Sequence, residues 1–202
     1  MSLPDSTLTQ LLEALGEKTP IPGGGTLAST TLALSASLAR MVLAYSIDKK
    51  SLAEFQAGNE DALQQLRACE RTALDLADAD ATAYSHLNEL MKLPADDEKR
   101  LAEWEQALEG AMKPPQETID ACEAMLALLA SLVKTTNRLL ASDLAIAAVL
   151  AGAAARAAAW NVKANLSQLA DQEHAKHLRD EVDARTLNLD GLVRSIEDGC
   201  SG

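Results

Sequence analysis

TPIPGGGTLASTTLALSASLARMVLAYSI, residues 19–47, decides the fold class. Its opening holds two prolines and three consecutive glycines, which cannot sit inside a helix without large cost. The remainder, Thr26 to Ile47, is apolar nearly all round, and a helix of that kind belongs at the centre of a protein. Outward toward the N-terminus, Leu8, Leu11, Leu12 and Leu15 share one face at helical spacing, so Ser6–Leu15 reads as a short helix. Gly16 ends it, and residues 16–25 form a loop.

Toward the C-terminus, the polar SIDKKS (46–51) makes a turn. A long helix then runs from Leu52 to Met91 and stops before Pro94, with a charged outer face. Asp96 or Asp97 caps a further helix to Met112. Lys113-Pro114-Pro115 is expected to interrupt it. Another helix covers Gln116–Leu132, and Asn137–Ser142 is a polar break. Ser142 is expected as an N-cap, with Asp143 in the first turn where the helix dipole favours a carboxylate. That helix reaches Leu169, and the last runs from Asp171 to Ile196. No alternating strand and no repeat stands out. The expectation is an all-α bundle of six or seven helices, one domain over residues 1–202.

Composition agrees. Apolar residues make up 48% and aromatics only 2% of the 202 residues, so the core must be aliphatic and helix-prone. The formal net charge of −12 disfavours binding to nucleic acid or to an anionic membrane surface. The three cysteines form no zinc pattern and fit a reducing, cytoplasmic setting. MSLPDSTLTQ (1–10) lacks the features of a signal peptide. The apolar Leu144–Trp160 carries Gly152 and Arg156 and suits a buried helix better than a membrane span. His174 and His177 are one turn apart on a solvent-facing helix, and no metal is expected there. The alanine-rich helices 26–47 and 143–169 are too apolar to be left exposed, which makes a subunit interface plausible.

The candidate chemistry begins at the glycines. Gly23, Gly24, Gly25 and Thr26 precede a helix, where backbone N–H groups can meet a ligand; the plain alternative is a tight turn. Asp80 lies mid-helix among Ala73, Ala77, Ala83 and Tyr84. An inward carboxylate needs a partner or a shifted pKa, and both occur at active sites. Helices 26–47 and 52–91 are joined by a short turn and should pack antiparallel. Counting back from the turn at the helical rise puts Asp80 beside Gly23–Gly25. Lys49 and Lys50 lie at the other end of that hairpin, about 35 Å away. They could serve the same small site only from a partner subunit; otherwise they are surface lysines near a helix C-terminus. Asn161 and Asn165 share a helix face, about 27 Å from Asp143. They either fix helix packing or belong to a site.

Taken in order, these pieces resemble the cyclodeaminase/cyclohydrolase family of folate one-carbon enzymes. Its PTPGGGS loop is similar to Pro20-Ile21-Pro22-Gly23-Gly24-Gly25-Thr26. Its MV…GKK segment is similar to Met41-Val42 and Asp48-Lys49-Lys50. Asp80, Ala83, Tyr84 and Lys92-Leu93-Pro94 match its D-x-x-A-[YF] pattern and KLP-like turn. Asn137, Ser142 and Asp143 match GN…SD; Asn161-Val162 and Asn165-Leu166 match NVxxNL. Ile21, Asp48 and Thr136 depart from the pattern, the last two where the family has glycine.

The resemblance implies a homodimer, intertwined or side by side, that binds a tetrahydrofolate derivative and needs no further cofactor. It implies Asp80 as general base or charge stabiliser. Asp143 would orient the pterin or assist proton transfer. The glycine loop, Thr26, Asn137, Ser142, Asn161 and Asn165 would bind substrate, with Lys49 and Lys50 on the anionic glutamate tail. The absence of a formiminotransferase domain favours methenyltetrahydrofolate cyclohydrolase, which makes 10-formyltetrahydrofolate. Formimidoyltetrahydrofolate cyclodeaminase is the alternative, and a non-catalytic folate-binding helical protein is a third.

Overall fold

Thr7 opens the first helix with a capping box: its hydroxyl accepts from the Gln10 amide while the Gln10 side chain accepts from the Thr7 amide. In the computed structural model, which describes residues 6–201, six α-helices succeed one another and no strand occurs among the described residues. They are α1 (Leu8–Gly16), α2 (Gly24–Ala44), α3 (Gln56–Met91), α4 (Glu98–Leu132), α5 (Ala141–Leu166) and α6 (Gln172–Ser201). Short 3-10 turns at Lys50–Phe55 and Arg138–Leu140 lead into α3 and α5. Met1–Asp5, part of the stretch read for a signal peptide, lie outside the described residues.

The all-helical expectation holds, and α2 is central, packing against α3, α4 and α5. Its buried face is made of small residues, including Ala28, Ser29, Ala33, Ser35, Ala36 and Ala39. The facing side of α5 is equally small, with Ala147, Ala148, Ala151, Ala154, Ala155 and Ala158. Small side chains let the two backbones approach, and the Ser35 hydroxyl donates to the Ala147 carbonyl at 2.7 Å. The helices run antiparallel: Ser35 meets Ala147 in mid-helix, while Gly24 meets Asn161.

Several boundaries differ from the sequence expectation. Lys113-Pro114-Pro115 does not interrupt the chain; α4 runs straight through both prolines. Each removes a backbone donor at a cost of about 3 kcal/mol in a helix interior. Both rings are buried, in a helix whose flanks pack on α3 and α5, and that burial opposes the penalty. Ser142 is not a cap: α5 begins one residue earlier, at Ala141. Asn137 instead caps the preceding 3-10 turn, its Oδ1 accepting from the Leu139 amide. Gly24 and Gly25 belong to the first turn of α2, not to the loop. Asp171 caps α6, which continues past Ile196 to Ser201.

Candidate functional site

α3 and α4 are far longer than α2, so their hairpin overhangs the N-terminal end of α2. The step holds a cavity of about 390 Å³. Its wall includes Pro20, Ile21 and Gly23–Gly25 from the loop and α2, and Asp80, Tyr84 and Met91 from α3. Ala111 comes from α4; Asn161, Ala164, Asn165 and Gln168 come from the end of α5 and just beyond.

Asp80 is the buried acid of this cavity, 9% exposed. The Thr26 hydroxyl, itself fully buried, donates to Asp80 Oδ2 at 3.1 Å. The Thr26 backbone amide adds a second hydrogen bond. Asp80 therefore sits at the N-terminus of α2, where unpaired amides favour a carboxylate. Burial nevertheless outweighs both hydrogen bonds and raises the Asp80 pKa above the ordinary carboxylate value.

The glycines are explained by what surrounds them. A Cβ on Gly25 would lie 2.0 Å from Asp80 Oδ1, and one on Gly24 would lie 3.2 Å from Asn161 Oδ1. One on Gly23 would meet only the Pro20 carbonyl at 3.6 Å. Gly25 thus gives Asp80 its place, and Gly24 lets Asn161 approach. None of the three has a positive φ, so space rather than backbone freedom accounts for them.

Asn161 and Asn165 turn their amide groups back along α5, donating to the carbonyls of Ala157 (2.9 Å) and Asn161 (3.1 Å). Both residues also line the cavity. Pro115 has no N–H to offer the Ala111 carbonyl, which leaves an acceptor in the cavity wall without its usual helical donor. Sequence reading overlooked Ala111, Met91 and Gln168. Gln168 continues the spacing of Asn161 and Asn165, and that periodicity was a usable signal.

The remaining candidates gather at the other end of α2. Lys49 Nζ donates to Asn137 Oδ1 at 2.6 Å, and the Asn137 amide donates to Ser46 Oγ at 2.9 Å. Lys50, Ser142 and Asp143 lie in the adjoining turns, with Lys50 and Ser142 exposed. The span of α2 separates this cluster from Asp80 by about 30 Å. Asp48, where the resemblance leads one to expect glycine, has a φ of 62°, the left-handed region that glycine favours and Asp tolerates. Its backbone N–H and carboxylate both engage Gln56, so the acid is directed to that side chain.

A family model described as formiminotransferase-cyclodeaminase matches residues 7–184. The chain belongs to the formiminotransferase-cyclodeaminase family. Within that family it is similar to a methenyltetrahydrofolate cyclohydrolase from Methylorubrum extorquens, 29% identical over 94% of this chain and 89% of the relative. It is 28% identical to the formimidoyltransferase-cyclodeaminase of Gallus gallus over 82% of this chain, but spans only 31% of that longer protein. The structure resembles that of formiminotetrahydrofolate cyclodeaminase from Thermotoga maritima, with a TM-score of 0.87, 25% identity and 98% coverage of both chains. These relatives are cyclohydrolase and cyclodeaminase enzymes acting on tetrahydrofolate derivatives, and the fold of the family is the all-α fold described above.

Proposed function

We propose that this chain is a methenyltetrahydrofolate cyclohydrolase that works as a homodimer. The carrying observation is the Asp80 carboxylate, buried against Gly25 on the wall of a cavity and raised in pKa toward the range where a general base operates. Water adds to the cationic methenyl carbon as Asp80 accepts its proton. The resulting tetrahedral carbon carries a hydroxyl between the two folate nitrogens. Collapse breaks one carbon–nitrogen bond, moves the hydroxyl proton to the departing nitrogen and leaves a formyl group on the other. Asp80 then releases its proton to solvent. The buried carboxylate also faces the substrate's positive charge, and low-dielectric surroundings strengthen such attraction. Asn161, Asn165 and Gln168 offer amides that suit the donors and acceptors of a pterin.

The homodimer is supported by an apolar face that no other described residue covers. Leu27, Leu34 and Tyr45 on and just beyond α2 are exposed, as are Ile146, Val149 and Trp160 on α5. Both helices have the length and apolarity of a membrane span, yet only 50% and 39% of their most apolar windows are buried. A second copy laid antiparallel across this face would cover it. It would also carry the partner's Lys49–Asn137 end, with Lys50, Ser142 and Asp143, toward the Asp80 cavity. One chain's two distant clusters would then form one site.

The test follows methenyltetrahydrofolate absorbance with wild-type protein and with Asp80→Asn. Wild type should consume the substrate. The variant should fold and lose about 10²-fold or more in turnover if Asp80 transfers a proton. Equal turnover would remove Asp80 from that role. A second reading is formimidoyltetrahydrofolate cyclodeaminase, favoured by the likeness to the Thermotoga maritima enzyme along the whole chain. Ammonia release from formiminotetrahydrofolate, without methenyl hydrolysis, would select it. Folate binding without either reaction would select a binding protein.

A further inference from the structure

Gln168 closes the Asp80 cavity on the α5 side. Gln168 also lines a second cavity of about 460 Å³, whose other walls are Ala95, Arg100, Leu101, Trp104 and Glu105. This second space lies along the overhang of the α3–α4 hairpin. Asp80 to Met91 covers about 16 Å of α3, and the chain then turns into the start of α4, where Arg100 and Trp104 stand. The two cavities are neighbours across Gln168, and a reduced folate is an elongated ligand whose reacting carbon lies between its pterin and its aminobenzoyl-glutamate portion.

The second cavity has the chemistry of an aryl carboxylate site. The Arg100 guanidinium lies 4.5 Å from the Trp104 ring centroid. Its NH1 donates to the Leu93 carbonyl at 2.7 Å, which fixes the plane and leaves other N–H groups available. Among the described residues, no carboxylate forms an ion pair with Arg100. The acids nearby are engaged elsewhere: Glu105 Oε1 accepts from the Ala170 amide, Asp97 caps α4, and Glu89 pairs with Lys92. Lys49 of the same chain lies at the opposite end of α2, and its ammonium is held by Asn137.

We propose that the Arg100–Trp104 groove receives the aminobenzoyl-glutamate portion of the folate substrate within the same subunit. The aminobenzoyl ring lies against Trp104, and a glutamate carboxylate accepts from Arg100, the group best suited to bidentate carboxylate recognition. This rests on the folate reading of the Asp80 cavity, but its binding chemistry can be tested apart from turnover.

The experiment is titration of free p-aminobenzoyl-glutamate into the wild-type protein, into Arg100→Gln and into Trp104→Leu, with circular dichroism to confirm that each variant is folded. Saturable binding to wild type should weaken about 10-fold or more in Arg100→Gln, the size of a lost charge-assisted hydrogen bond, and should weaken in Trp104→Leu as well. In the same preparations, removing the glutamate from the substrate, as in methenyltetrahydropteroate, should raise the wild-type KM but leave that of Arg100→Gln nearly unchanged. Binding that is equal in wild type and Arg100→Gln would overturn the proposal. So would a loss that instead tracks Lys49→Ala with Lys50→Ala. Arg100-dependent binding of p-aminobenzoyl-glutamate by a protein that turns over no folate would leave the subsite standing and refute the enzymatic reading.

Discussion

Replacing Gly25 by Ala tests how the site is built, because the side chain it would meet is Asp80. The new Cβ would lie 2.0 Å from Asp80 Oδ1, 2.4 Å from Cγ and 2.7 Å from Oδ2. Close-packed interiors do not hold such contacts, so the carboxylate must retreat by roughly 1 Å or more. Retreat breaks the 3.1 Å hydrogen bond from Thr26. A hydrogen bond to a charged group contributes about 1.5–3 kcal/mol. Alanine in a helical turn returns at most about 1 kcal/mol over glycine. The net loss is therefore about 0.5–3 kcal/mol, a fall of up to several degrees in Tm for a chain of this size. Activity should suffer more, because a catalytic group misplaced by about 1 Å can lose 10²-fold in rate.

The neighbouring glycines are internal controls for that reasoning. Gly24→Ala meets Asn161 Oδ1 at 3.2 Å, a contact relieved by a small movement of an amide, so its effect should be intermediate. Gly23→Ala makes an ordinary contact at 3.6 Å and should remain near wild type. The assays are kcat/KM from methenyltetrahydrofolate absorbance and thermal melts of the three variants. Equal damage at all three positions would refute the steric account and point to a loop that must stay flexible. Wild-type turnover in Gly25→Ala would refute the placement of Asp80 as the base.

Thr26→Val should move the acid limb of the kcat/KM profile to higher pH, because the lost hydroxyl bond favours ionised Asp80, and should destabilise the fold by about 1 kcal/mol. The unperturbed carboxylate titrates near pH 3.9, and Asp80 titrates higher in the folded protein, so folding is favoured by its protonation. Wild-type stability is therefore lost as pH rises from about 4 through the raised pKa, and Asp80→Asn should melt higher than wild type near pH 7, with the difference shrinking in acid. A lower melting point near pH 7 would show that the helix-capping role of the carboxylate outweighs its burial. Leu34→Arg, placed on an apolar face where Leu34 is 56% exposed, should give monomers in sedimentation and a loss of turnover, with little change in the monomer's helicity. A wild type that sediments as a monomer would remove the dimer from the proposal.

How far the sequence reached depended on whether a rule was local or relational. The pairing of Asp80 with the glycines was legible because a short turn and a fixed helical rise leave no freedom in register, and the structure places Asp80 Oδ1 against Gly25. The prolines misled because a propensity is a local preference. Pro114 and Pro115 are both buried in a helix held along its length by α3 and α5, and tertiary contact overrides the local penalty. Ser142 misled for a related reason, since the 3-10 turn at Arg138–Leu140 moves the helix start and hands the capping role to Asn137.

Arg100 and Trp104 could not be found by pattern at all, because on the sequence they are an ordinary charged and an ordinary aromatic residue on an outer face. What gives them meaning is the unequal length of the helices. α3 and α4 outrun α2, so residues that would be surface on an equal-length bundle become the wall of a second cavity. The same inequality opens the Asp80 cavity, since helices that ended level with α2 would leave no step to enclose it. Length mismatch between neighbouring helices, rather than any single motif, is therefore the feature that turns this aliphatic bundle into a protein with a site.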